Sequence, residues 1–412
     1  MQPDFTPAHH NLAQLDLLSG DSVAAEARYQ KVLSYDAENL KALLALAALA
    51  EREGRIDEEE KWLKAAHEHH PDEIKPTLLL VQYYLRQDDA TQALDLAREA
   101  AVASPRNPVV LKVLVVAQLR SGEYKKARGT LRSLLEIDPD SAEIHLQLAM
   151  VQAKLEDTEA AKKSLQRAIE LQPDFPTAQL VLGRLYIIGK DYDAASSIAD
   201  DLKEAHPGAA YGYDLEGDIH AARKDHKQAA EAYAVAYEKA ANAQLALKLY
   251  QSRLQVGDTE SAYEVLRQWL AEHPDNISLR TTLAMALQGA GQQQSAIEEY
   301  LKILEYDADN VTVLNNLAWL YQEAGNPEGV KYAERAHEEA PDQPEVTDTL
   351  GWLLVQNGDV NRGLLLLQEA AVKAPHIPEI RYHMAVALAK AGRRDESRKV
   401  LDRLLKTGKD FQ

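Results

Sequence analysis

Cysteine is missing from all 412 residues, so the chain holds no disulfide, no thiolate metal site and no cysteine nucleophile. Aromatic residues are scarce at 6%, while alanine is abundant, a combination suited to closely packed helices rather than sheets. Positive charge is also short. Asp and Glu number 65 against 46 Lys and Arg, and the net charge of −19 opposes the phosphate neutralisation on which nucleic-acid binding depends. No basic stripe with interleaved aromatics offsets it, so no nucleic-acid partner is expected. A run of about 18 apolar residues is lacking, as is a charged leader followed by an apolar core, so no membrane span is expected in this chain.

Motifs of catalysis are missing as well. There is no Walker loop, no Gly-x-Ser-x-Gly elbow and no His-Glu-x-x-His zinc motif, and Gly289-Ala290-Gly291 lacks a third glycine and a preceding strand. No enzyme activity, cofactor or metal is expected. His67, His69 and His70 could suggest a metal, but His206 and His273 stand in the same phase as His70, directly before a proline. There an imidazole complements the carbonyls and dipole at a helix end. The acidic run Asp57 to Glu60 lacks the loop glycine and alternating oxygens of a calcium site and reads as a solvated helix face.

What the chain does have is a period. Prolines 71, 105, 139, 173 and 207 fall 34 residues apart, the mark of a solenoid. Twelve units follow: 6–39, 40–73, 74–107, 108–141, 142–175, 176–209, 210–242, 243–276, 277–310, 311–343, 344–377 and 378 to about 407. One site on each first helix is usually small, as at Ala13, Ala47, Ala149, Gly183, Gly217, Ala284, Ala318, Gly351 and Ala385. A second small site follows twelve residues later, from Ala25 through Ala161 and Gly363 to Ser397, with Glu59 the outlier. Such pairs let two helix backbones approach closely. Between them Gly20, Gly54, Gly122, Gly257, Gly291, Gly325, Gly358 and Gly392 mark a left-handed turn. The proline stops the second helix. The fold class is all-α, and Tyr29, Tyr233 and Tyr300, at one phase of the second helix, are expected in the core.

This pattern resembles the tetratricopeptide repeat family over essentially the whole chain. The resemblance implies a right-handed superhelical solenoid of about twelve repeats, with the first helices lining a concave groove. The lysine, arginine and asparagine clamp with which some members of that family grip a carboxylate terminus has no counterpart here: Asn315 and Asn316 have no matching lysines and Lys112 stands alone.

In that geometry Leu44, Leu78, Leu146 and Leu180 project toward the groove, with Leu85, Leu119 and Ile187 further along; packing between adjacent repeats is the alternative. A more polar surface is expected from Asn315, Asn316 and Trp319, then Asp348 and Trp352, then Tyr382 and His383. Its aromatic planes suit peptide side chains or sugar rings, against the alternative that the tryptophans pack between repeats. The runs Leu314-Asn315-Asn316-Leu317-Ala318-Trp319, Asp348-Thr349-Leu350-Gly351-Trp352 and Glu379 to Ala385 resemble the repeat proteins encoded with bacterial exosortase and exopolysaccharide systems. That second resemblance implies a cell-envelope or periplasmic setting. The expected function is a non-enzymatic scaffold holding a protein or peptide segment. A substrate-selecting arm of a larger enzyme such as a glycosyltransferase, or direct polysaccharide binding, stands as the alternative.

Three local departures are expected. Glu59 implies loosening or a carboxylate reaching toward solvent, or simply a slightly shifted helix. Glycines 208, 212 and 217, with Ala241 in place of a stop proline, make 210–276 an irregular pair of repeats between 6–209 and 277–407. The turn from Gly325 to Gly329 is one residue short. At the ends, Gln2-Pro3-Asp4-Phe5 repeats Gln172-Pro173-Asp174-Phe175 and reads as the tail of a missing repeat, while 408–412 forms a tail. Leu401, Leu404 and Leu405 are expected to be uncovered, so self-association through uncapped ends is expected too.

Overall fold

The 34-residue period becomes a helical hairpin at its turn. In the computed structural model, residues 5–406 are described and form two units that divide between Pro207 and Gly208; the expectations placed on 1–4 and 407–412 lie outside the described residues. The first unit holds α1 (Thr6–Leu18), α2 (Ser22–Tyr35), α3 (Leu40–Arg52), α4 (Ile56–His69), α5 (Ile74–Arg86), α6 (Ala90–Ala103), α7 (Pro108–Arg120), α8 (Tyr124–Ile137), α9 (Ala142–Lys154), α10 (Thr158–Leu171), α11 (Pro176–Ile188) and α12 (Tyr192–Ala205). The second holds α13 (Tyr211–Ala222), α14 (His226–Lys239), α15 (Ala243–Val256), α16 (Thr259–Glu272), α17 (Ile277–Gly289), α18 (Gln293–Leu304), α19 (Val311–Glu323), α20 (Glu328–Glu339), α21 (Pro344–Gln356), α22 (Val360–Lys373), α23 (Pro378–Lys390) and α24 (Arg394–Lys406). Each odd-numbered helix pairs with the one after it, and within each unit successive hairpins stack. No strand occurs among the described residues, and none of their helices is long and apolar enough to cross a membrane.

All eight turn glycines have positive φ, from 68° at Gly325 to 97° at Gly358. In the other four hairpins Asp88, Glu156, Lys190 and Lys224 adopt the same backbone at φ 60° to 65°. The bond that closes the turn is the same in both cases. The N–H of the next residue donates five residues back, Asp21 to the Asp16 carbonyl at 2.8 Å and Asp225 to that of His220 at 2.9 Å. First helices start on side-chain caps from Asn39, Asn107, Ser141, Asn242, Asn276 and Asn310. Several second helices start on Asp21, Asp89, Asp191, Asp258 and Asp359. Each cap accepts a backbone N–H that would otherwise be unpaired.

The small sites sit where the helices cross. Ala13, Ala25, Ala93, Ala149, Ala161, Ala284 and Ala318 are fully buried, and the large side chains of Leu46, Leu165 and Leu283 close around such sites. Tyr29, Tyr233 and Tyr300 are core residues. Gly217 is explained by one of them: a Cβ there would lie 2.4 Å from the Tyr233 ring. At the short turn, a Cβ on Gly329 would stand 2.7 Å from the Ala318 carbonyl oxygen, so α20 begins pressed against α19.

Two expectations are corrected here. Glu59 does not reach solvent: it is 5% exposed and its carboxylate is bound by the Arg86 guanidinium from α5, the next first helix. Burial raises its pKa, and Arg86 opposes that shift. Leu404 is buried rather than uncovered, because α24 packs against its hairpin partner α23; Leu405 is exposed.

The histidines before the stop prolines occupy the C-caps of α4, α12 and α16. The His70 ring meets the Glu38 carbonyl, His206 Nε2 lies 2.9 Å from Asp174, and His273 Nδ1 lies 3.1 Å from the Trp269 carbonyl. His67 pairs instead with Thr77 at 2.9 Å. No group of three or more metal-ligating side chains among the described residues could hold an ion. In the acidic run, Glu58 binds Arg55, Glu59 binds Arg86, and Glu60 accepts from Tyr84 at 2.9 Å.

Candidate functional site

In the second unit, α19, α21 and α23 are first helices of three successive hairpins and present equivalent positions one repeat apart. Asn315, Asp348 and Tyr382 stand three residues before the small sites Ala318, Gly351 and Ala385. Asn316, Thr349 and His383 come next in phase, and Trp319 and Trp352 follow the small sites.

His383 is the hub. Its Nδ1 lies 2.8 Å from Asp348 Oδ2, and its ring stacks on Trp352 with centroids 4.3 Å apart at 22°. The Trp319 ring lies 6.1 Å away, tilted by 39°, and that of Tyr382 lies 6.1 Å away at 54°. Trp319 is held separately: its Nε1–H donates to Thr349 Oγ1 at 3.0 Å, and that hydroxyl donates to the Glu345 carbonyl at 3.0 Å. Both indoles are therefore fixed by partners on the next first helix, and both stay half-buried, while Tyr382 is 44% exposed.

Two of the polar candidates turn inward. Asn316 donates from Nδ2 to the Tyr300 hydroxyl at 3.0 Å, so its amide is tied to α18 instead of being presented outward. Asp348 is 6% exposed and is held by His383, around which the rings gather. Its burial raises the carboxyl's pKa, the hydrogen bond and charge of His383 oppose the rise, and Glu345 and Glu379 add to it. Asn315 is half-buried, with its Oδ1 shielded from solvent.

The leucine row lies in the first unit. Leu146 does not face a groove: it is 9% exposed and packs in one apolar cluster with Ala161, Leu165 and Leu182, the seam between the α9–α10 hairpin and α11. Leu44 is half-buried against the cluster of Ala47, Leu63 and Leu80. Leu78 and Leu180 are half-buried, as are Leu85, Leu119 and Ile187; Lys112 is exposed. The row thus divides between seam and surface, and the aromatic cluster is the site with a defined geometry. Thr349 and the Glu345 carbonyl also belong to that cluster; no motif marks their role, although Thr349 stands one repeat after Asn316.

Chemically the cluster offers planar faces, a carboxylate and amide oxygens held on rigid helices. It suits stacking and charge recognition.

A solenoid of helical hairpins defines the class of protein. Residues 90–283 match the family model described as the tetratricopeptide repeat protein 21 C-terminal ARM domain, and residues 10–73 and 354–412 match two tetratricopeptide repeat models. The chain carries tetratricopeptide repeats, a scaffold fold typical of protein–protein interaction. No curated protein matches it. Among solved structures it is similar to a tetratricopeptide repeat protein from Parabacteroides merdae at 17% identity, covering 60% of this chain and 98% of that one with a TM-score of 0.46. PilF of Pseudomonas aeruginosa is 18% identical, with 52% and 97% covered and a TM-score of 0.40. Yeast Tom70 is 13% identical, with 96% and 97% covered and a TM-score of 0.40.

Proposed function

We propose that this protein is a non-enzymatic scaffold whose first helices α19, α21 and α23 bind a segment of a protein partner. The observation that carries this reading is the pair Trp319 and Trp352: half-buried indoles at one phase of successive hairpins, each held from the next first helix by Thr349 or His383. Rigid, partly exposed aromatics lose little freedom on binding and are favoured as interface anchors. Leu44, Leu78 and Leu180 offer a further half-buried apolar row in the first unit. The setting we propose is a bacterial envelope system for polysaccharide export or protein sorting, on the resemblance of the strings around Trp319, Trp352 and His383.

A pull-down with the full chain is expected to recover a partner that Trp319→Ala with Trp352→Ala loses. Undiminished recovery by the double variant would remove the aromatic site from the account. Titrating exopolysaccharide against tryptophan fluorescence separates a glycan ligand from a peptide one. Fractionation of the source cells checks the envelope setting, and a protein confined to the soluble interior would overturn it.

A further inference from the structure

Two oxygens at this site lack a donor. Asn315 Oδ1 and Asp348 Oδ1 are shielded from solvent, and neither meets a hydrogen-bond partner among the described residues. They hold equivalent positions on α19 and α21. A buried acceptor left without a donor costs about 1–3 kcal/mol, and more when it is charged. Asp348 has His383 on its other oxygen only, and the further charges that act on it, Glu345 and Glu379, are negative. Around His383, the partner of Asp348, lie the rings of Trp319, Trp352 and Tyr382, whose π faces attract positive charge.

These features all favour one kind of guest. A carboxylate or phosphate would meet three acidic side chains. A neutral hydroxyl could satisfy the two oxygens but would gain nothing from the negative field. An ammonium or guanidinium supplies the missing donors, is drawn by the carboxylates and suits the indole faces.

We propose that the partner segment anchors at this site through a lysine or arginine side chain, its charged head lying against the faces of Trp319 and Trp352 and donating to Asp348 and Asn315. This rests on the reading that α19, α21 and α23 form the peptide-binding surface. Because both oxygens are shielded from solvent, entry shifts the side chains that cover them; of the three rings around His383, that of Tyr382 is the most open to solvent.

The test uses a phage-displayed library of random dodecapeptides, panned on the full chain and on the full-length Trp319→Ala, Trp352→Ala double variant. Selected peptides are then synthesised alongside forms with citrulline for arginine and acetyl-lysine for lysine. Peptides that depend on the two tryptophans are expected to share a lysine or arginine. Neutralising it should weaken binding about tenfold or more, and Asp348→Asn should do the same. Glu345→Gln with Glu379→Gln, both exposed, should cost a few-fold at low salt and less at high salt while leaving the helix content unchanged. Tryptophan-dependent peptides that lack a shared cation, or that bind equally well once neutralised, would overturn the cation anchor and leave the aromatic platform standing. If no selected peptide depends on the tryptophans, the platform reading falls with it.

Discussion

Gly351 of α21 and Gly363 of α22 face each other so closely that a Cβ on Gly363 would stand 2.5 Å from the Gly351 carbonyl oxygen and 2.6 Å from Val355 Cγ2. A backbone carbonyl cannot step aside as a flexible side chain can. Gly363→Ala is therefore expected to separate the two helices and destabilise this hairpin by about 1–3 kcal/mol. The control is Gly129→Ala, within α8, where an added Cβ meets nothing within 4 Å. That change should stabilise by about 0.5–1 kcal/mol, because glycine inside a helix carries an entropic penalty. Hydrogen exchange of each hairpin reads both effects locally, which matters in an array whose repeats need not unfold as one. Unaltered protection of α21 and α22 in Gly363→Ala would refute the constraint.

The four turns without glycine make a second prediction. Asp88, Glu156, Lys190 and Lys224 hold a left-handed backbone at φ 60° to 65°, which disfavours a side chain by roughly 1–2 kcal/mol. Part of the gain from glycine is lost to its freedom in the unfolded chain. Each of Lys190→Gly and Lys224→Gly should still raise the urea midpoint, and the two together should raise it further. Gly54→Ala, at φ 69°, should lower it. Midpoints that move the other way would mean that the turn is held by its surroundings.

These turns also show where the sequence could be read and where it could not. Period, paired small residues and stop prolines were enough for the hairpins, because each reports a local steric demand that any member of the array must meet. Lys190 and Lys224 carry no such mark, since the closing hydrogen bond is made by backbone alone. Leu146 and Leu44 share a helical phase, and phase does not separate a seam from a groove; only the neighbouring hairpin buries one more than the other. The Asp348–His383 pair joins residues 35 apart. Their places on successive first helices were visible, offset by one residue from exact repeat equivalence, but the stacking on Trp352 that gathers the cluster around His383 depends on how two first helices lie side by side.

Glu59 and Arg86 predict an asymmetry. Glu59 fills a site that is small in other hairpins, and its buried carboxylate depends on the guanidinium of Arg86. Replacing a buried pair by apolar groups is often neutral or favourable, whereas removing one partner leaves a buried charge unpaired. Glu59→Ala, which restores the small residue of the repeat, should leave the urea midpoint unchanged or higher. Arg86→Ala should lower it, and the loss should shrink in the double variant. Equal losses from both single changes would show that the pair is a net source of stability.

Asp348 sets a pH dependence of definite sign. Burial holds its carboxyl above the ordinary value of 3.8, despite His383. The folded chain therefore keeps this proton to a higher pH than the unfolded chain does. Between the two values the folded state binds more protons, so its stability falls as pH rises through that window, and above it the full cost of the buried carboxylate remains. Asp348→Asn removes the charge and leaves an amide of the same shape facing His383. At neutral pH the variant should be at least as stable as the wild type, and its advantage should shrink as pH falls toward 3.8, where the wild-type carboxyl is protonated in the folded chain. Urea midpoints of both proteins across that range measure the difference. An advantage that does not vary with pH would mean that Asp348 titrates at the same pH folded and unfolded, and that the ring cluster imposes no charge penalty on it.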